Sequence, residues 1–278
     1  MSYWVAVVAR NAASHLQRTL DSLLHQTMKP DQITIVDDGS TDQTPQILRR
    51  YQQQETTVRV LSLPDRGYDI RRVPSNINLA WKTTAASGLK SDFFMISGDD
   101  CSYPAHYAES LLSRMEIDQD LVVASGRPLS GGGLSRERSP SGSGRMVNSN
   151  FWGQVGGMYP VKAGWETWLL YAAGARGFET QLFDDIVYEH LRPRGTEHQF
   201  LYWGAAMQTL GYHPLYALGR MARNVVARPR GSLNMFRGYL QAKLGSDDAF
   251  MSPFDPSLRS YVSLAQVHRI ASAVGSFL

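Results

Sequence analysis

Cysteine is nearly absent from this 278-residue chain: Cys101 stands alone, which rules out an internal disulfide and fits a reducing compartment. No uninterrupted apolar run approaches the ~20 residues that a bilayer-spanning helix needs. The opening Met1-Ser2-Tyr3-Trp4 has no charged leader and runs straight into a strand pattern, so the expectation is no signal peptide and a cytoplasmic location. Net charge is only +3, and no nucleic-acid partner is expected. A glycine-rich, basic triphosphate loop is missing beside the first strand, where Val8-Ala9-Arg10-Asn11-Ala12 stands, and this argues against a nucleotidyltransferase. One absence is local. From His198 to Ser246 there are 49 residues without a single Asp or Glu, against six basic ones.

What is present is an alternation of apolar strands and amphipathic helices. Tyr3 to Ala9 reads as a buried strand. Ser14 and Gln17 read as a capping box, ahead of a helix with Leu16, Leu20, Leu23 and Leu24 on one face. Ile33 to Val36 closes a βαβ unit, and the crossover is expected to be right-handed. A helix from Pro45 to about Gln53 with Thr44 as N-cap, a strand from Val58 to Leu63, a helix from Asn76 to Gly88 and strands at Phe93–Ile96 and Leu121–Ala124 follow. The pattern predicts an α/β fold over residues 1–195, Rossmann-like, with a mixed, mostly parallel sheet and helices on both faces. Residues 196–278 are expected to add a helical extension.

Two of these strands end in paired acids. After Ile33–Val36 come Asp37-Asp38-Gly39-Ser40, at the sheet edge where open α/β proteins bind ligands. An aspartate there accepts the N3–H of a uracil ring while its neighbour reaches the ribose or orders the loop; the plainer alternative is that both cap a turn. After Phe93–Ile96 come Ser97-Gly98-Asp99-Asp100. Like charges repel, and a divalent cation both relieves this and bridges a diphosphate. Hard carboxylate oxygens suit Mg2+ or Mn2+, and a solvated acidic turn is the alternative. Between the two lies a basic loop with Arg66, Arg71 and Arg72, either solvated or forked onto a nucleotide's phosphates or base. The segment Asn78-Leu79-Ala80 is placed to approach the nucleotide.

The run Val36-Asp-Asp-Gly-Ser-Thr-Asp42, followed about sixty residues later by Gly98-Asp99-Asp100 and Pro104, resembles family 2 glycosyltransferases of the GT-A fold. The resemblance covers about residues 3 to 195. It implies a nucleotide-diphosphate sugar donor, a divalent metal and inversion at the anomeric carbon. By position, Asp38 would hold the base, Asp37 would support it and Asp99 would ligate the metal, with Asp100 sharing the metal's charge. Ser97 departs from the family, which has an acid there, and the ribose contact is lost with it. The family also has an acidic pair at a helix start, where this chain has Glu166-Thr167; the resemblance makes Glu166 the general base for the acceptor hydroxyl. Read without the family, Glu166 is a first-turn glutamate complementing the helix dipole. His190 stands where many members complete the metal or diphosphate site. UDP is favoured as the nucleotide, and glycan or cell-envelope polysaccharide synthesis as the setting. A binding module that kept the fold and lost the chemistry is the rival that Ser97 and Thr167 leave open.

Residues 125 to 150 are rich in Gly, Ser and Pro and read as a long acceptor-side loop, with Arg136, Arg138 and Arg145 facing phosphate. Strands are expected at Phe178–Phe183 and Ile186–Val187, joined at Asp184-Asp185, which are next in line as base. In the acid-free tail, Leu215, Leu218, Ala222, Val225 and Val226 share a helical face opposite Arg220, Arg223 and Asn224. After a break at Arg228-Pro-Arg-Gly231, Leu233, Phe236, Leu240 and Leu244 stripe a second helix, capped by Ser232. These helices either pack on the core or on a second copy of the chain, or meet an anionic membrane surface that would suit a lipid-linked acceptor.

Overall fold

A computed structural model describes residues 1–130, 133–134, 138–192, 197–225, 228–245 and 248–275. Arg136, Val226, the side chains of Arg223 and Asn224, and the expected boundary at residue 195 lie outside the described residues. The chain divides into two compact units, one of Met1–Tyr159 with Gly177–Pro193, the other of Pro160–Arg176 with Arg194–Leu278.

The first unit opens with β1 (Tyr3–Ala9), α1 (Leu16–Leu24), β2 (Ile33–Asp37), α2 (Thr44–Gln54) and β3 (Val58–Ser62). A 3-10 turn (Ile70–Arg72) leads into α3 (Val73–Ala86), then β4 (Phe93–Gly98), β5 (Cys101–Ser102), α4 (Tyr107–Ile117) and β6 (Leu121–Ser130). Next come β7 (Gly133–Leu134), β8 (Arg145–Asn148) and α5 (Ser149–Gln154). The second unit supplies α6 (Trp165–Gly174), the first takes back β9 (Glu179–His190), and α7 (Glu197–Thr209), α8 (Pro214–Val225), α9 (Pro229–Leu244) and α10 (Pro256–Gly275) complete the chain.

The sheet runs β3-β2-β1-β4-β8-β6-β9-β5, with β7 hanging from β6. Its first four strands are parallel, β8 runs antiparallel to β4 and β6, and β6 pairs parallel with β9. Alternation across β1 explains why its run is apolar throughout. Tyr3, Val5, Val7 and Ala9 enter a core with Leu16, Leu20 and Leu23 of α1 and Ile33 and Ile35 of β2. On the opposite face Trp4 and Phe94 join Trp81, Trp152 and Tyr159 in an aromatic cluster with ring centroids 4.9–5.7 Å apart.

Several local expectations change in the folded chain. Helix α1 starts at Leu16 after His15 with no side-chain cap, so the Ser14–Gln17 box is not made. The Thr44 hydroxyl accepts the Ala12 N–H at 2.7 Å and lies inside α2, while Asp42 takes the Thr44 N–H at 2.9 Å. Strand β6 runs on to Ser130 because β9 pairs with it from Leu121 to Leu129, turning part of the expected loop into sheet. Arg145 is 1% exposed and donates to the carbonyls of Ser141 and Pro140, so it braces that turn and does not face phosphate. The two strands expected around Asp184-Asp185 are one, β9, with the acids at a register shift. Their carboxylates pair with Arg127 and Arg114.

In the second unit Tyr171 of α6, Phe200 and Met207 of α7, Met221, Met235 and Val262 build the core. Tyr171 therefore ties the 160–176 segment to the C-terminal helices. Helix α9 approaches α7 so closely that a methyl group on Gly238 would meet the Leu201 carbonyl oxygen at 1.9 Å. Ser232 sits within α9, its hydroxyl on the Met221 carbonyl, and does not cap it. Among the described residues no helix is long and apolar enough to cross a membrane.

Candidate active site

Strand β1 brings the two acidic strand ends together. It pairs Ala9 with Asp37 on one side and Val8 with Gly98 on the other, all parallel, so both acidic turns leave the same sheet edge beside Arg10. Asp37 Oδ1 accepts the Ser40 N–H at 3.0 Å and the Ser40 hydroxyl at 2.6 Å, closing the first turn. Gly39 adopts φ +72°, and a Cβ there would lie 2.5 Å from the Asp65 Cα, so only glycine fits. Asp38 is buried and gripped by the Arg72 fork, with Nε at 3.1 Å and Nη2 at 2.9 Å. The Arg10 guanidinium donates to the Asp38 and Gly39 carbonyls and pairs with Asp65 at 2.6 Å. Arg10 and Arg72 thus pair with acids around this strand end, Asp65 and Asp38.

The second turn is built by β4, β5 and β9. Antiparallel pairing sets Cys101 against His190, and the Leu191 N–H bonds the Asp100 carbonyl at 2.7 Å. His190 Nδ1 thereby lies 3.6 Å from Asp100 Oδ2, and a ligand atom from each of Asp100, Cys101 and His190 falls within 4.8 Å of the others. Nδ1 also lies 3.1 Å from the Arg192 carbonyl oxygen, an acceptor that calls for a proton on Nδ1. A Cβ on Gly98 would lie 2.8 Å from Asp100 Oδ1, so a larger residue there would have to shift the Asp100 carboxylate.

Asp99 accepts the Arg10 backbone N–H at 3.0 Å. Burial pushes its carboxyl up to about 6; the Arg192 charge opposes this and the Asp100 charge adds to it. Burial likewise pushes the Cys101 thiol up to about 12, so it stays a neutral neighbour. Among the described residues the group that could hold a metal ion is Asp100, Cys101 and His190, with Asp99 on the same turn but outside that group; the carboxylate oxygen and imidazole nitrogen are donors a divalent cation accepts. Arg192 Nη2 is buried beside these groups with no hydrogen-bond partner, 3.5 Å from Asp99 Oδ1. Ser97 turns away, its hydroxyl on Tyr103 Oη at 2.9 Å and on the Gly98 carbonyl.

Asp37, Asp38, Arg72, Gly98, Asp99, Asp100 and His190 all belong to this sheet edge. Arg66 is exposed, and Arg71 is spent on Asp69 at 2.8 Å. Asn78 is buried in α3 with its amide bonded both ways to the Tyr159 backbone, at 2.8 and 2.7 Å, and so pins that segment. Glu166 lies in the second unit, in the first turn of α6, after Gly164 in the left-handed conformation. Two site residues escaped sequence reasoning. Arg10 could have been noticed as the residue leaving β1 at the ligand edge, and Arg192 as a cation two positions beyond His190.

These features define an α/β protein whose parallel strands deliver two acidic turns to one sheet edge. The sequence model of glycosyl transferase family 2 matches residues 4–186, and the chain belongs to that family. Chondroitin synthase of Pasteurella multocida (strain Pm70) is 35% identical over 63 residues, 23% of this chain and 6% of the synthase. Glycosyltransferase GlyG of Streptococcus pneumoniae serotype 4 is 28% identical over 120 residues, 43% of this chain and 37% of GlyG. The chain thus matches well under half the length of either relative. S. aureus TarS 1-349 in complex with UDP-GlcNAc superposes with a TM-score of 0.56 at 16% identity, over 74% of this chain and 65% of that one. Mannosyltransferase PcManGT of Pyrobaculum calidifontis, in complex with GDP-Man and Mn2+, superposes at 0.55 with 14% identity, over 98% and 79%. The fold is GT-A.

Proposed function

We propose that this protein transfers a sugar, with inversion, from a nucleoside-diphosphate donor to an acceptor hydroxyl or phosphate, with UDP favoured as the nucleotide. The observation that carries this reading is the pair of acidic strand ends flanking β1, in a chain of family 2. Complexes of TarS with UDP-GlcNAc and of PcManGT with GDP-Man and Mn2+ support a nucleotide-sugar donor and a divalent metal. Asp38 would take the base N3–H, Asp37 keeps its loop closed, and Arg72 sets the Asp38 carboxylate in place. Asp99, Asp100 and His190 would hold Mn2+ or Mg2+, which when bound supplies positive charge against the leaving diphosphate. Glu166 would accept the proton of the acceptor hydroxyl as the new glycosidic bond forms and the bond to the diphosphate breaks. Attack from the side opposite the leaving group inverts the anomeric carbon. Incubation of the protein with UDP-sugars and Mn2+ should release UDP, and should do so faster once an acceptor is added. No UDP release with any donor, despite donor binding, would instead favour the non-catalytic module.

The reading assigns catalysis to residues 1–195 and attachment to an anionic membrane surface, with a lipid-linked acceptor, to residues 196–278. Its support is the outer face of α8 and α9. Leu215, Leu218, Leu233, Phe236 and Leu244 are exposed, and Arg230, Arg237 and Lys243 flank the α9 stripe. The packed side of α9 is Gly231, Met235 and Gly238 instead. An apolar stripe edged by cations matches the boundary of an anionic bilayer, where each cation is worth ~1 kcal/mol. Binding to vesicles containing phosphatidylglycerol should weaken with salt and with Arg230, Arg237 and Lys243 changed to Gln. Absence of binding at low salt, with self-association of the chain, would assign the stripe to a homo-oligomer.

A further inference from the structure

The cation nearest the acidic turn comes from the protein itself. Arg192 Nη2 lies 3.5 Å from Asp99 Oδ1, and Nε lies 3.8 Å from Asp100 Oδ2. Both are ion-pair separations, and neither is a hydrogen bond. A well-made arginine–carboxylate pair shows two parallel N–H···O bonds, as Arg72 makes to Asp38 at 3.1 and 2.9 Å. Arg192 instead leaves Nη2 buried and unbonded, although the side chain is 36% exposed. Its main chain is the firmer part: the Arg192 carbonyl meets His190 Nδ1, and the Leu191 N–H is fastened to the Asp100 carbonyl. A tethered guanidinium thus lies loosely across two carboxylates, with a route towards solvent.

Resting on the glycosyltransferase reading above, we infer that Arg192 is an exchangeable counter-ion of the acidic turn, displaced by the divalent cation and received by the donor's diphosphate. The physical reason is charge. Asp99 and Asp100 repel one another when both are ionised, and Arg192 relieves part of that repulsion. A divalent cation at the same carboxylates cannot coexist with a guanidinium in contact with them, so the cation must first displace it. The displaced fork finds its best acceptors in phosphate oxygens, whose planar, bidentate recognition suits arginine. Diphosphate would then remove the competitor of the metal. Metal and nucleotide would each improve the affinity of the other by one common factor, as linkage requires.

Direct contact between metal and diphosphate also gives cooperativity, so the deciding measurement is made without nucleotide. Mn2+ binding to the purified protein is followed by electron paramagnetic resonance of the free aquo ion. Wild type should bind Mn2+ weakly, and Arg192→Gln should bind it more tightly by about tenfold, within the 5–150-fold range typical of coupled sites. Arg192→Lys, which keeps the charge, should stay near wild type and guards against a folding artefact. With Mn2+ present, Arg192→Gln should bind inorganic diphosphate more weakly than wild type. Equal or weaker Mn2+ affinity for Arg192→Gln, in a variant with the wild-type melting temperature, overturns the inference. Failure of Mn2+ to bind wild type and both variants, with UDP present or absent, would instead overturn the metal-dependent reading beneath it.

Discussion

Glu166→Gln is expected to lower turnover by ~10²–10⁴-fold, the usual cost of removing a general base. Glutamine keeps the shape of the side chain and loses the proton acceptor, so affinity for UDP with Mn2+ should stay near wild type. The first turn of α6 has Glu166 as its one acid, and the helix-dipole share of losing that charge is ~0.3–1 kcal/mol. The melting temperature without ligand checks that the variant folds. Turnover is read as UDP release in the presence of acceptor, and binding as the shift in melting temperature with UDP and Mn2+. If the variant keeps most of its rate, Glu166 is a dipole-complementing residue and the base lies elsewhere. Asp184 and Asp185 would then be poor substitutes, because Arg127 and Arg114 already hold their carboxylates.

Asp99→Asn should remove the Mn2+-dependent part of UDP binding while leaving the fold intact. A ligand at a hundred times its Kd stabilises the native state by ~2.7 kcal/mol, or roughly 5–10 °C at about 2–4 °C per kcal/mol for a chain of this size. Wild type should show a shift of that order with UDP and Mn2+ and a smaller one in EDTA; Asp99→Asn should show only the smaller. The amide oxygen keeps the bond from the Arg10 N–H, so the turn has no reason to open. Without ligands the variant should melt at or above wild type at pH 8. Burial raises the Asp99 pKa to about 6, so the folded protein above that pH holds a carboxylate less favourably than the unfolded chain does. As pH falls through about 6, wild type takes up the proton, gains stability relative to the variant, and the gap closes. Identical UDP shifts in EDTA and in Mn2+, for both proteins, would remove the metal from this site.

Legibility followed the range of the forces involved. The strands β1, β2 and β4 were readable because both of their faces are buried, which demands a continuous apolar run. The acidic turns were readable because small polar residues and glycine stop such strands locally, and Gly39 has no alternative at φ +72°. Reading failed where a side chain had two local uses. Thr44 had the composition of an N-cap, but the Ala12 N–H claimed its hydroxyl from 32 residues away. Arg145 had the composition of a phosphate ligand, but the folded 140–145 turn presents two carbonyls to it.

By itself the sequence determined the βαβ alternation, the two carboxylate pairs, and the acid-free character of the tail, since each is written in consecutive residues. Only the tertiary structure decided that Ala9–Asp37 and Val8–Gly98 pairing brings both acidic turns to one edge, with Arg10 between them. It also decided that β9 holds β6 in the sheet to Ser130, and that Arg192 comes to rest on Asp99 and Asp100. A one-residue change of register would turn each strand-end side chain to the other face, and register depends on partners distant in the chain. The same limit applies to α9. Periodicity shows that Leu233, Phe236 and Leu244 share a face, but the close approach of Gly238 to Leu201 makes the glycine side the packed one and leaves the leucines outside.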